Sequence, residues 1–534
     1  MNTKRFLSPH IQITTLLVIV LLIGLYNVLR YGGLSGETDT HVFTEAIRTI
    51  QVTGELISSR TGDTIYPNGY SFQSLAVFLT NLTGISLATL QIYGGSLLAI
   101  WIIFPAWLFY RELLDSPQGA TLATILLFIQ PELLFGILRG SHEKFTRGLM
   151  LMCLYLLIRS LRSQKGSSSQ SFGFIIAFYI AGYGMITFNN LFAFSFTIAI
   201  LLSLGFSWII LRLYAEALQS KTIFLARSAL VVFNLLILAF IFTFYIYEPA
   251  QDNISVLSSV VDKVAVLILD FEHTSSLNPY ITITTAWINL PTYVIVSLAN
   301  WVTLMASIAI ATWYFICWTR GNKRPQKETE LLLWGLYVAF VMQGILSIVI
   351  DISGALANNL QHRIFPSFVM FAVPVITKFL IEWQPKQIII RRLLYTGVGM
   401  LVGVLAILSI LKATNEPLLS NKWIFHTHGE IHAIDWADQR LGNEGLWLGY
   451  DDRLYTGYGI QNDINLIVAQ TPNGTQLDWG DQYPNTRNYL VSDIIRNQGI
   501  RFNSSLPFNA DSLCVFDNGE TQIYHNRPRT PYQK

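Results

Sequence analysis

The chain has 534 residues, 52% of them hydrophobic and only 13% charged, with a formal net charge of +2. A soluble domain carries about 25% charged residues, so a water-soluble globular fold is excluded, and the near-neutral balance gives no basis for a nucleic-acid partner. Three cysteines, Cys153, Cys317 and Cys514, are too few and too scattered for a disulfide framework or a metal-ligand pattern. The first apolar run, residues 11–29, approaches the ~20 residues that cross a bilayer. It lacks a small-residue cleavage site and is read as a retained span, not a signal peptide. Ten further runs follow, at 87–110, 119–138, 146–161, 172–188, 191–213, 228–247, 293–318, 331–350, 364–381 and 393–411. Together they predict a polytopic α-helical membrane protein with eleven spans, its partner the lipid bilayer.

Between the first two spans lies one long loop, 30–86. It opens with SGETDTHVF, where Glu37, Asp39 and His41 cluster. The following THVFTEAIRTI puts Val42, Phe43, Ala46, Ile47 and Ile50 on one face at helical spacing. That predicts an amphipathic helix along the membrane surface with Asp39 at its N-terminus. An N-cap aspartate explains Asp39 equally well at this stage. Residues 70–84 are apolar, but as a helix they reach only ~22 Å, short of the ~30 Å hydrocarbon core. Loop charge decides their placement, because Lys and Arg concentrate on the cytoplasmic side. If 70–84 does not span, the inner loops hold fourteen basic residues: Arg111, Arg159, Arg162, Lys165, Arg212, Lys221, Arg227, Arg320, Lys323, Arg324, Lys327, Lys386, Arg391 and Arg392. The outer loops over the same stretch hold five: Arg139, Lys144, Arg147, Lys263 and Arg363. Segment 70–84 is therefore an interfacial or re-entrant helix, the N-terminus is cytoplasmic, and loop 30–86 is outside.

The same topology puts two more clusters on the outer face. RGSHEKFTRG (139–148) carries His142 and Glu143, candidate metal ligands or substrate contacts, with Arg139, Lys144 and Arg147 to meet an anion. NNLQHRIFPSF (358–368) places His362 and Arg363 at a span mouth, where an Arg can hold a phosphate or anchor a helix at the headgroups. Few charges fall near the middle of any span. Ion-coupled transporters place ionisable groups there, so the pattern suits surface chemistry better than passage. The tail, 412–534, mixes GLWLGYD, INLIVAQ and YLVSDII with polar turns. DSLCVFDNGETQIYH sets Asn518-Gly519 between two apolar strands, a type I′ hairpin signal. Two domains are expected: a transmembrane domain, 1–411, and an extracytoplasmic α/β domain, 412–534.

In order, these features resemble the C-type glycosyltransferase superfamily, membrane enzymes that use polyprenyl-phosphate-linked sugars. The first span leads to the acidic GETDTH and an amphipathic helix. YPNGYSF (66–72) is similar to the family's Tyr/His-Pro-Pro-Leu element, although Asn68 replaces the second proline. An acid follows in the second outer loop about 100 residues after the first, HRIFP opens a late span, and an α/β tail closes the chain. The resemblance implies transfer of a sugar from a polyprenyl- or dolichyl-phosphate donor to a glycan, lipid or protein acceptor outside a cell membrane. It implies Asp39 as general base or metal ligand with Glu37 as its partner, and Glu143 as the second-loop acid. Arg363 matches the arginine that contacts the lipid phosphate, with His362, His142 and Arg139 as further substrate contacts. A divalent cation, Mg or Mn, would sit on Asp39 and Glu143. WWDYG, the mark of oligosaccharyltransferases, is absent, and IDWADQ (434–439) is a poor substitute, so a single sugar is the expected cargo. The competing readings are a transporter or flippase for a lipid-linked glycan and a non-catalytic membrane scaffold.

Overall fold

The computed structural model describes residues 8–34, 39–57, 65–163, 168–214, 219–269, 290–320, 327–353, 360–383, 387–416, 425–441, 446–448, 454, 466–467, 488–496 and 512–526. Helix α1 (Pro9–Arg30) is the first span. After it come α2 (Asp39–Thr53) and α3 (Ser71–Thr83), which pack together through Phe43, Ile47, Phe72 and Ala76. At 13 residues α3 is too short to span, as its length predicted. Helix α4 (Leu87–Leu114) crosses next, with a π-helical turn at Leu90–Gly94 near its start.

The run predicted as a straight span at 119–138 is instead a bent pair, α5 (Pro117–Phe128) and α6 (Pro131–Leu138), turned 77° from each other. Pro131 causes the break: it has no N–H for the helix ladder, and its ring drives Gln130 to extended backbone, at φ −87° and ψ 116°. Then follow α7 (Glu143–Ser163), α8 (Ser168–Phe188), α9 (Asn190–Tyr214) and α10 (Gln219–Ile241). Beyond these lie α11 (Asp252–Leu269), the short α12 (Leu290–Val296), α13 (Leu298–Thr319), α14 (Glu328–Ile352), α15 (Leu360–Glu382) and α16 (Ile388–Ala413). Among the described residues, nine helices are long and apolar enough to cross a membrane, and the bent pair makes a tenth. Helix α7 is the remaining expected span. Arg147, Arg159 and Arg162 make it less apolar than the others, yet Leu151, Cys153, Leu154 and Leu157 are buried.

Ion pairs mark the two ends of the bundle. At one end Arg162 meets Glu112 at 2.7 Å and Asp115 at 3.0 Å, and Lys327 meets Asp115 at 2.6 Å. Three loops predicted to share a side thus touch one another. At the other end Arg30 bonds Glu416 at 2.7 Å, and the Tyr31 hydroxyl donates to the carbonyls of Thr414 and Asn415.

Beyond the last span, α17 (His428–Leu441) packs Ala433, Ile434 and Ala437 on a five-stranded sheet. The strands are β1 (Leu446–Trp447), β2 (Leu466–Ile467), β3 (Asn488–Ser492), β4 (Ser512–Asp517) and β5 (Thr521–Asn526), in the order β2-β1-β3-β5-β4. The first three are parallel and the β3, β5, β4 part is antiparallel, so this region is α/β as predicted. The β4–β5 hairpin is not type I′. That turn needs positive φ at two successive residues, whereas here Gly519 alone has it, at +87°. Asn518 is held out of the turn by its own side chain. Its Oδ1 accepts the N–H groups of Glu520 and Thr521, and its Nδ2 donates to the Gly429 carbonyl. IDWADQ lies inside α17, with Ile434 and Ala437 in the core.

Candidate active site

The loop before α2 and the loop before α7 meet at Gly140. The Gly140 N–H donates to Thr40 Oγ1 at 3.0 Å, across 100 residues of sequence. A Cβ at Gly140 would stand 2.8 Å from Thr40 Cγ2 and 3.0 Å from the Gln91 carbonyl oxygen. Only a glycine lets α2, the second loop and the π-helical turn of α4 come this close. Asp39 is the first residue of α2, so its backbone is seated one residue from this contact. Glu37 lies outside the described residues, as do the side chains of Asp39 and His41.

Beneath the start of α2 the second loop is densely cationic. Arg139 pairs with Glu143 at 2.5 Å. The buried Lys144 ammonium folds the loop around itself, donating to the carbonyls of Arg139 and of Ser141, the latter at 3.2 Å. Arg147, one turn into α7, is also buried. It donates to the Ser367 hydroxyl and, at 2.7 Å, to the Arg363 carbonyl, and its guanidinium lies 4.3 Å above the Phe192 ring. Two of these cations, Arg139 and Arg147, act on one carboxylate. Burial by itself pushes the Glu143 carboxyl up, but the charges of Arg139 and Arg147 outweigh it and hold Glu143 well below the usual carboxylate range. Glu143 is an anion at any physiological pH.

His142 belongs to a different network, and its tautomer follows from the hydrogen bonds. Asn189 Oδ1 accepts the Phe192 N–H at 2.9 Å, so its Nδ2 is the atom that faces Tyr66 (3.0 Å) and His142 Nε2 (2.7 Å). Nε2 is therefore an acceptor, and the ring proton sits on Nδ1. The Tyr66 hydroxyl accepts from Asn189 and from Asn68 (3.1 Å) and turns its own proton toward His142 Nε2, 3.3 Å away. Rings of Phe43 and Tyr66 pack on the imidazole. Burial pushes the His142 pKa down, which keeps it neutral. Burial likewise raises that of Tyr66, although Asn68 and the nearby Arg363 charge act the other way. YPNGY thus docks its first tyrosine into the site, and Asn68 supplies one of its bonds.

Residues 362 and 363 take different partners. Arg363 is exposed, with its backbone held by Arg147 at the edge of the cationic group. His362 Nδ1 faces Glu132 at 4.0 Å, in a cluster where Lys412 bonds Glu132 at 2.5 Å and Ser297 at 2.7 Å. The structure therefore brings together Arg139, His142, Glu143 and the Arg363 backbone, with the start of α2 above them, and gives His362 to Glu132.

Sequence reading missed Thr40, Tyr66, Asn189 and Gln91. Thr40 and Tyr66 stand inside stretches already singled out. Asn189-Asn190, at the break between two apolar runs, was a visible signal. As for the expected divalent cation, no three His, Cys, Asp or Glu side chains form a metal-binding group among the described residues. Glu143 is committed to Arg139, and His142 Nε2 to Asn189 and Tyr66. The Asp39 carboxylate, the other acid expected to hold the cation, lies outside the described residues.

No protein-family model matches the chain, and no curated protein matches it in sequence. Solved structures do resemble it. One is the archaeal oligosaccharyltransferase AglB from Archaeoglobus fulgidus, in complex with an inhibitory peptide and a dolichol-phosphate. The TM-score is 0.57 at 11% identity, covering 97% of this chain and 75% of that one. A second is ArnT from Cupriavidus metallidurans bound to undecaprenyl phosphate, with TM-score 0.48, 13% identity, and coverage of 97% and 99%. A third is the arabinofuranosyltransferase AftD from Mycobacteria, with TM-score 0.43, 11% identity, and coverage of 96% and 40%. The fold is thus similar to that of AglB. What is shared with AglB at this identity is the architecture.

Proposed function

We propose that the protein is a membrane glycosyltransferase. It moves a single sugar from a polyprenyl-phosphate donor to an acceptor hydroxyl at the membrane face that carries α2 and the 139–143 loop. By the charge of the loops that face is extracytoplasmic. The observation that carries the reading is the Thr40–Gly140 hydrogen bond, which seats the acid-bearing start of α2 on a buried cationic loop. The fold shared with AglB, a protein with dolichol-phosphate bound, supports it.

The chemistry needs few parts. The acceptor oxygen attacks the anomeric carbon, and its proton passes to the Asp39 carboxylate. The bond from that carbon to the phosphate oxygen breaks, and the electron pair leaves with the lipid phosphate. Arg363, exposed at the edge of the site, meets the growing phosphate charge with its planar fork of donors. Arg147 positions Arg363 through its carbonyl, and Glu143 holds Arg139 in place. Glu37 orients the donor beside Asp39. Asp39→Asn tests the proposal. Asn caps a helix as well as Asp does but cannot take the proton, so folding survives and turnover drops by roughly 10²–10⁴-fold. The assay is release of lipid phosphate from polyprenyl-phosphate sugars by purified protein. Full transfer by folded Asp39→Asn refutes the assignment.

A further inference from the structure

Helix α11 (Asp252–Leu269) follows the span α10, in a stretch expected only as an outer loop, and has no role in the steps above. Its described side chains fall into three arcs, at about 100° per residue. Val260 is buried, and α11 touches α14. Leu257, Val261, Ala265 and Leu269 come next, four residues apart, at roughly 60° to 180° round from Val260. All four are exposed, Val261 by 60% and Leu269 by 86%. Ser259, Asp252, Asp262 and Lys263 take the remaining arc, which Val266 alone interrupts. One arc is thus buried, the next is apolar and open, and the third is polar. A helix lying beside a bundle at a bilayer surface needs this order, with protein at its side, lipid beneath and water above.

The open apolar arc continues a surface already given to lipid. Span α10 ends in a π-helical turn, Phe242–Ile246, and only Tyr247 and a 3-10 turn, Glu248–Gln251, separate that turn from α11. Phe240, Phe244, Tyr245 and Ile246 are exposed there. In α14, the span that α11 touches, Met342, Ile345 and Leu346 are exposed as well. Charge does not direct α11 to anionic headgroups, because Asp252 and Asp262 stand against the single Lys263. Its root is fixed: Tyr247 is buried, and its hydroxyl donates to the Tyr66 carbonyl at 2.7 Å. The helix therefore starts at the membrane face that carries α2.

We propose that α11 seats on the leaflet at that face, with Leu257, Val261 and Leu269 among the acyl chains just below the headgroups. Its partner is the lipid surface itself, and the attraction is apolar. The inference stands apart from the transferase reading, since it concerns where the helix lies and not what the site does.

The test places a nitroxide label on Leu257→Cys, Val261→Cys or Asp262→Cys in the full chain on a cysteine-free background. The protein is held in nanodiscs of phosphatidylcholine. Collisions are measured with oxygen, which concentrates in lipid, and with a water-soluble nickel chelate. The oxygen-to-nickel ratio should be roughly tenfold higher at positions 257 and 261 than at position 262. Replacing part of the lipid with phosphatidylglycerol should leave that contrast in place. The inference is overturned if position 261 is as open to nickel as position 262, which puts the helix in water. It is also overturned if position 261 is closed to both reagents, which means that another part of the chain or a second copy covers it. Wild-type protein gives a test without substitutions. In nanodiscs containing a phospholipid with a diazirine near the headgroup end of its acyl chain, irradiation should attach lipid to residues 252–269. Attachment confined to the spans overturns the inference.

Discussion

Thr40→Val removes one oxygen and little else. Valine matches threonine in shape and in β-branching, so the packing of α2 through Phe43 and Ile47 is retained. What disappears is the acceptor for the Gly140 N–H, now 3.0 Å away in a buried site. A buried donor left unpaired costs about 1–3 kcal/mol. The chain can relieve that cost by lifting the start of α2 and admitting water, which carries Asp39 away from the cationic loop. If the cost falls on the assembled site, 1–3 kcal/mol corresponds to roughly a five- to 150-fold loss of kcat/KM, at about 1.4 kcal/mol per tenfold. Thr40→Ser keeps the oxygen and should restore most of the rate. The assay is lipid-phosphate release at limiting donor, with thermal unfolding measured in parallel. Thr40→Val protein with wild-type kcat/KM and an unchanged unfolding temperature would refute the claim that this bond seats the acid.

Three further outcomes are expected. A Cβ at Gly136 would stand 2.2 Å from Glu143 Oε2. Gly136→Ala should thus pull Glu143 off Arg139 and lower transfer roughly tenfold, and adding Glu143→Ala should cost no more than Glu143→Ala alone, a coupling read by a double-mutant cycle. His142 is neutral in the folded state at a pH where the unfolded chain binds a proton, so stability should fall as pH drops below about 6.5, by up to about 1.4 kcal/mol per pH unit. Thermal unfolding across pH 4–7 checks this, and His142→Gln should flatten the slope by about one proton. Finally, a membrane-impermeant maleimide should reach the exposed Cys514 from outside once Cys153 and Cys317 are replaced. Arg320→Cys on a cysteine-free background should label from the cytoplasmic side only, and the opposite result would invert the proposed orientation.

The helices were legible because lipid imposes a simple demand, about 20 apolar residues per crossing. The short α3 and the amphipathic α2 followed from length and periodicity alone. The break at Pro131 was readable too, but a hydropathy count passes over one proline in an apolar run. What escaped were contacts between distant segments. Thr40 meets Gly140, and Tyr66 meets both His142 and Asn189, and no local pattern encodes such pairings. His362 and Arg363 are adjacent in sequence, so they were read as one feature. On a helix, successive residues point about 100° apart, and here they face different neighbours. The hairpin error has the same origin: Asn518 reaches out to Gly429, a tertiary contact that outweighs the local preference for a type I′ turn.

The contact between Arg30 and Glu416 joins residues 386 positions apart. Helix α1 leaves the ribosome first, but the carbonyls that hold Tyr31 and the carboxylate that holds Arg30 arrive only after α16 has been made. At ~5–20 residues per second that interval is roughly 20–80 s. Throughout it, Arg30 and Tyr31 lack these partners, although Asn27 can already meet Ser96. The Thr40–Gly140 contact can form as soon as the second loop is made, whereas Arg30 and Tyr31 at the root of the acidic loop wait for the segment that follows α16.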